Sequence, residues 1–499
     1  MRRAIAAGVM GGLVLGGATA TPALAAVSAA TSGPAATSGP PATAGPGMKT
    51  VIYGGYAFQV PASWPVYRLD EHPQTCVRYD VHAVYLGSPG ANMDCPAGII
   101  GRTQTVSFIP AGSAASGAGG GSRRPARPGA AAGVERRRLP AVHSAISQDT
   151  NRNQLEVTLG APGAGGTLLG TYGAAPGVLE QVLGTVRLAP AGATPTAQTV
   201  PAQAVPAQAV PVPAQAPTAH PTVVPQRAAA VRARAASPLA RRAAARQEIY
   251  TSWRGVPSDW PTEIVQPPQP LSHPVGGFDA CTAPSLATMR VWRRAYAAVG
   301  AYIGGVNAAC DYGNLSAAWI RSVAGMGWGV LPTYVGPQAA CWNGGNGVRI
   351  KSGRAAAQGN AAGLDAVSDA RYFGLAAGSP IYYDMEAYVG GTTCKQGVLA
   401  FLGAWNRAVA ASGYVTAVYS SRDSGIANIE EWTLGRNPGF TPPDAIWVAL
   451  WDGLASLAGD QLAWPLTMRS KQYSGNANVT VGGIRLNIDK DVVGGPVAR

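Results

Sequence analysis

From Val275 onward, short apolar runs alternate with helical patterns at a regular spacing. Val275–Asp279 reads as a strand, and a helix is expected near Ser285 to Ala298. Ala301–Gly305 leads into an expected helix from Leu315 to Ala324, with Asn314 suited to cap it. Gly329–Val335 precedes a helical pattern around Arg354 to Ala370. Ile381–Glu386 precedes Lys395 to Ala411, and Val415–Ser420 precedes a short helical stretch near Ile426 to Leu434. Ala445–Trp451, Arg469–Tyr473 and Ile484–Asp489 complete eight strand candidates. Repeated strand–helix units through residues 276–499 predict an α/β fold, a (β/α)8 TIM-like barrel of parallel strands. The helices expected between the last three strands are weak, so irregularity is expected there.

Upstream the pattern differs. Val51–Tyr53, Tyr56–Val60 and Val81–Leu86 read as strands, and Leu155–Leu159 alternates like a half-buried one. Pro176-Gly177 opens an expected helix from Val178 to Leu183. Residues 49–190 are thus expected to form a small α+β domain, for which the sequence names no chemistry. Cys76 and Cys95 are placed to close it. Ala111 to Gly133 is too rich in Gly, Ala, Ser and Arg to pack, and reads as an insertion. Residues 191–247 read as a basic Pro/Ala-rich linker, with a V-P-A-Q-A repeat starting at Val200 and Val205. Regular proline favours extended geometry and a semi-rigid spacer. Residues 248–275 are a lead-in to the barrel.

The amino terminus adds a destination. Met1-Arg2-Arg3, an apolar Gly- and Ala-rich run, and Ala23-Leu24-Ala25 have the order of a signal peptide, read over residues 1–26, with a leader at 27–48. The arginine pair leaves Sec and twin-arginine export both open. Six cysteines, an even number, suit an oxidising compartment. The expectation is a secreted, cell-wall-associated monomer with no membrane span once the leader is removed.

Charge sharpens that picture only slightly. The chain of 499 residues carries a formal net charge of +13. From Gly276 onward 17 Lys and Arg stand against 14 Asp and Glu, so about +10 lies upstream. Those arginines sit in Pro, Ala and Gly tracts without interleaved aromatics, which argues against nucleic acid as a partner. They suit either a solvated linker or attraction to an anionic cell wall or membrane surface.

The candidate chemistry lies in acids at strand ends, where barrels of this kind gather their active sites. Asp279 ends the first strand candidate, Asp384 and Glu386 end the fourth, and Asp489 and Asp491 end the eighth. Strand alternation puts Tyr382, Asp384 and Glu386 on one face. Two carboxylates ~6.6 Å apart on such a strand repel by ~2.5 kcal/mol at an effective dielectric of ~20. One can therefore stay protonated beside an ionised neighbour, as glycosidic cleavage requires. The same acids could instead serve only to hydrogen-bond loops or pair with arginine. No histidine follows His273, which removes histidine triads and histidine-ligated zinc from the barrel. No cofactor and no metal site is read from the sequence. Tyr334, Tyr382, Tyr419, Trp447, Trp451, Gln472 and Tyr473 are expected near the same mouth as substrate contacts. Loop topology pairs Cys281 with Cys310 and Cys341 with Cys394.

Several of these segments resemble a known family. Gly277–Pro284, Tyr302–Gly305, Pro332–Gly336, Ile381–Glu386 and Val418–Ser420 resemble the glycoside-hydrolase-like domain of exported bacterial proteins. That domain is similar to the family 25 lysozymes, muramidases that cleave peptidoglycan glycan strands. The resemblance implies a role for Glu386 as general acid. It implies that Asp384 stabilises charge or orients a substrate amide. It matches Asp279 to the family's first-strand acid, and Gln472-Tyr473 and Asp489–Asp491 to its late motifs, with Asp491 where Asn is usual. The implied function is hydrolysis of cell-wall glycan by carboxylate acid catalysis. The alternatives are a non-catalytic wall-carbohydrate-binding protein that uses the same cleft, and a purely structural or partner-docking surface protein.

Overall fold

The computed structural model describes residues 47–111, 137–138, 145–161, 164–199, 271–435, 437–458 and 462–499. The expected signal peptide, nearly all of the leader, the insertion after Ala111, the linker beyond 199 and the lead-in up to 270 lie outside the described residues.

In the small domain, strands β1 (Met48–Tyr53) and β2 (Tyr56–Pro61) pair as a hairpin. Gly54 and Gly55, at φ 57° and 81°, make its two-residue turn. The larger sheet holds β3 (Val66–Arg68), β4 (Ala83–Leu86), β5 (Thr105–Pro110), β6 (Arg137–Arg138), β7 (Ala145–Asp149), β8 (Gln154–Ala161) and β9 (Ala164–Thr171). Its spatial order is β3-β4-β5-β9-β8-β7-β6. Helix α1 (Gly177–Gly184) buries Leu179, Val182 and Leu183, a helical i, i+3, i+4 stripe, in one core with Phe58, Val106, Phe108 and Val157. β10 (Arg187–Leu188) then joins β2. Residues 191–199 stay on this domain: the Thr196 N–H donates to the Ile52 carbonyl and the Thr199 N–H to that of Val66.

Eight strands close the second domain into a barrel in chain order: β11 (Val275–Asp279), β12 (Ala298–Gly304), β13 (Gly329–Tyr334), β14 (Pro380–Met385), β15 (Val415–Ser421), β16 (Ala445–Ala449), β17 (Arg469–Val481) and β18 (Ile484–Val493). From β11 to β17 each strand is parallel to the next. β18 is antiparallel to both β17 and β11. This departs from the all-parallel expectation. The cause is local: Gly482 and Gly483, at φ 55° and 81°, reverse the chain in two residues, where a parallel crossover needs a dozen or more. Helices α2 (Leu286–Trp292), α3 (Ala317–Gly325), α4 (Ala355–Tyr372), α5 (Thr392–Ala411) and α6 (Ala427–Leu434) follow the first five strands. After β16 the described residues hold only a 3-10 turn, Leu466–Met468. The cap of α3 is Ser316, whose Oγ accepts from the Trp319 N–H at 3.1 Å. Asn314, expected there, instead donates to the carbonyls of Ala91 and Ala283.

Alternation along the strands divides the barrel's two cores. Leu331, Tyr382, Ala417, Ala445, Trp447 and Val493 fill the interior. Phe278, Val299, Tyr334, Tyr383, Val418 and Ile446 face the helices. Each apolar side chain so buried contributes about 1.5–3 kcal/mol.

The two domains share backbone and side-chain contacts. Isolated bridges join Arg78 to Cys310 and Ile100 to Ala308. Arg152 Nη2 donates to Asp369 Oδ1 at 2.8 Å, with both side chains buried. The Ala97 N–H donates to Asn487 Oδ1 at 2.8 Å. The disulfides are Cys76–Cys95, Cys281–Cys310 and Cys341–Cys394. Among the described residues no helix is long and apolar enough to cross a membrane.

Candidate functional site

Five carboxyl groups meet in the upper barrel. Asp279 comes from β11, Asp384 from β14 with Glu386 just past its end, and Asp489 and Asp491 from β18. Asp279, Asp384, Asp489 and Asp491 are at most 2% exposed, while Glu386 is half-buried. Because β18 runs against its neighbours, Asp489 lies beside Asp279 and Asp491 lies two residues deeper, beside Gly277. Asp491 therefore does not reach the mouth, contrary to the expectation that both acids end a parallel strand.

Hydrogen bonds fix the cluster. Tyr302 Oη donates to Asp279 Oδ1 at 2.8 Å. Gln472 Nε2 donates to Asp279 Oδ2 at 2.9 Å and Asp489 Oδ2 at 3.4 Å. Its Oε1 accepts from Tyr419 Oη and Trp451 Nε1, so the amide is oriented from both ends. The Asn476 N–H donates to Asp489 Oδ1, and Trp447 Nε1 to Asp491 Oδ1. Gln338 is fully buried: its Nε2 donates to the Asp384 carbonyl and its Oε1 accepts from the Glu386 N–H, both at 2.8 Å.

Asp384 and Glu386 each shift the other's proton affinity, as do Asp279 and Asp491. Burial and neighbouring like charge both favour a retained proton. Asp384 is pushed well above the usual carboxylate range by burial and then by the charge of Glu386. Glu386 is raised to about 7 by burial and the charge of Asp279, against the lowering effect of Asp384. Asp279, Asp489 and Asp491 are raised by burial too. Among the described residues no Lys or Arg pairs with any of the five. Asp384 Oδ1 is buried without a hydrogen-bond partner.

Residues 290–493 match the family described as Rv2525c-like, glycoside hydrolase-like domain. The greater part of the barrel is thus similar to that domain. Solved structures with a similar fold include an uncharacterized B. stearothermophilus protein, at 19% identity over 45% of this chain and 96% of that one, TM-score 0.32. The modular autolysin LytC from Streptococcus pneumoniae is 14% identical over 44% of this chain and 46% of its own, TM-score 0.30. The Clostridium perfringens spore cortex lytic enzyme SleM is 10% identical over 44% of this chain and 67% of its own, TM-score 0.31. No curated protein matches the chain.

Within the barrel, the aromatic residues expected at the mouth divide. Tyr419 and Trp451 are there, bonded to Gln472, and Trp451 is 50% exposed. Tyr473 is half-buried on the same strand. Trp447 is fully buried beneath, between Tyr382 and Tyr419. Tyr382 belongs to the lower interior, and its hydroxyl donates to the Pro496 carbonyl, away from the mouth. Tyr334 sits outside the barrel, with its hydroxyl donating to Asp365 Oδ2, because alternation on β13 turns Thr333 inward and Tyr334 outward.

The sequence reading missed Tyr302 and Gln338. Tyr302 was legible from its inward phase on β12, two residues beyond Gly300, whose own position abuts Asp279. Gln338 lies in a loop with no periodic signal. The small domain covers one side of the acids, where a Cβ on Gly98 would stand 3.0 Å from Asp489 Oδ2. Glu386 and Trp451 mark the open side.

Proposed function

We propose that the barrel hydrolyses a cell-wall glycan, with Glu386 as general acid and Asp384 as the partner that sets its proton. The carrying observation is the convergence of Asp279, Asp384, Glu386 and Asp489 in the upper barrel with no Lys or Arg paired to them among the described residues, which leaves the half-buried Glu386 raised to about 7. An acid of that strength is half protonated at neutral pH and suited to proton transfer. The glycosidic oxygen takes the proton of Glu386 as its bond to the anomeric carbon breaks. The pair is then left with one negative charge beside the positive charge developing on the sugar. Water adds to the anomeric carbon and returns a proton to the pair.

Asp384 and Glu386 stand two residues apart on one stretch of chain, an arrangement that suits substrate-assisted cleavage of an N-acetylated sugar such as peptidoglycan glycan. The glycoside-hydrolase-like family match supports a glycan-acting role. Three disulfides support an extracellular setting.

The test is release of reducing ends from purified wall glycan. Glu386→Gln should lower release by ~10²–10⁴-fold, the usual contribution of general acid catalysis. Equal release from parent and variant removes the catalytic reading. A non-catalytic glycan-binding role is the second reading, favoured by Trp451 and Tyr419, which flank Gln472 beside the acids. It predicts wall pull-down that persists in Glu386→Gln, with no release by the parent.

A further inference from the structure

A cavity of about 1070 Å³ lies between the small domain and the barrel, apart from the acid cluster. Its walls carry side-chain amides from both domains, Gln104, Asn151 and Asn153 on one side and Asn346 and Gln358 on the other. Its charge is one-sided. Arg102, Arg349 and Lys351 line it against a single acid, Asp365. Among the described residues Arg349 and Lys351 pair with no carboxylate. Arg349 rests 4.7 Å over the Trp342 ring, and its Nη2 donates to the Gly344 carbonyl at 3.0 Å. Arg102 is 1% exposed, and its buried Nη2 has no hydrogen-bond partner. Asp365 accepts from Tyr334 and is raised to about 7 by burial and the charge of Asp369. Its negative charge is therefore only half present at neutral pH.

The lining offers no open ring face for a sugar. Tyr334 is 2% exposed and engaged with Asp365, and the His82 ring is stacked on Trp64. Gln104, Asn153 and Gln358 serve the protein's own backbone, which leaves the Asn151 and Asn346 amides for peptide groups and Arg349 and Lys351 for carboxylates. We propose that this cleft binds a short acidic peptide. Its position also links it to the barrel: Pro337 lines the cleft, and the next residue, Gln338, holds the backbone of Glu386. A peptide arm borne by the glycan would thus press on the segment that positions the acid. That link rests on the proposed hydrolysis; the peptide site itself does not.

Calorimetric titration of the full chain at low salt tests the site. The probes are acetyl-Ala-Glu-Ala-Ala with free carboxylates, its neutral Gln-containing amidated counterpart, and a tetramer of N-acetylglucosamine. The charged peptide should bind at least tenfold more tightly than the other two. Lys351→Ala should weaken it at least fivefold. Ala361→Trp, at an exposed position of α4 on the cleft wall, should abolish it. Both variants should keep the parent's thermal midpoint. Equal binding of charged and neutral peptides, preference for the sugar, or unchanged binding in both variants overturns the proposal. Glu386→Gln should bind the peptide as the parent does, so loss of glycan release with peptide binding intact supports the cleft on its own. Peptide binding absent from a parent that still releases glycan ends the cleft and spares the hydrolase reading.

Discussion

Asp384 on β14 and Glu386 just past its end lie two residues apart among acids that burial and like charge hold protonated. The cost of ionising them falls on the folded state alone. Their pKa values stand above those of an unfolded chain, so the folded protein binds more protons between pH 4.5 and about 7. By linkage, this contribution to stability is full on the acid side and is lost as pH rises through 7. Glu386→Gln removes the ionisable group, and should raise the thermal midpoint at pH 8 by about 5 °C, from a relief of ~2 kcal/mol. The gain should vanish near pH 4.5; a midpoint difference independent of pH would contradict this. Gln338 acts on the same pair through the backbone. Gln338→Ala leaves the Asp384 carbonyl and the Glu386 N–H without their partners, at ~1–3 kcal/mol for a buried group. Calorimetric unfolding should show that loss, together with lower glycan release.

Among the elements, the β17–β18 hairpin decides how the barrel closes. Gly482 holds φ 55°, and a Cβ there would stand 2.5 Å from Val291 Cγ1. Gly482→Val should cost ~1–3 kcal/mol in thermal unfolding from backbone strain. Gly483→Asn should be nearly neutral, since φ is 81°, asparagine tolerates that region and nothing lies within 4 Å. This turn also shows what the sequence allowed. β11 from Val275 to Asp279 was legible from its apolar run, and the eight strands in chain order from the strand–helix alternation. The reversal of β18 was written in Gly482-Gly483, but a helical-crossover template overrode it. Tyr334 was misplaced by one residue of strand phase, which inverts the face. Asp279, Asp384 and Asp489 were legible because acids in apolar strands have no packing reason. Gln338 was not, because a loop amide gains meaning only from the backbone it meets.

At the scale of the molecule, the small domain and barrel are joined by buried charge. Arg152→Met would leave Asp369 buried without that cation, at about 3–5 kcal/mol. Scanning calorimetry should show the midpoint of both domains falling together; a shift confined to one of two separate transitions would contradict a shared unit. No pattern in either half announced this contact, because each partner is a lone residue in its own segment. The same docking places Gly98 against Asp489 and helps to bury the acids on which the proposed chemistry depends. The most direct test is a carbon-13 NMR titration of the Glu386 side-chain carboxyl in the full chain. A midpoint near 7 is predicted, and a midpoint at the ordinary glutamate value of ~4.3 would contradict a protonated acid at the barrel mouth.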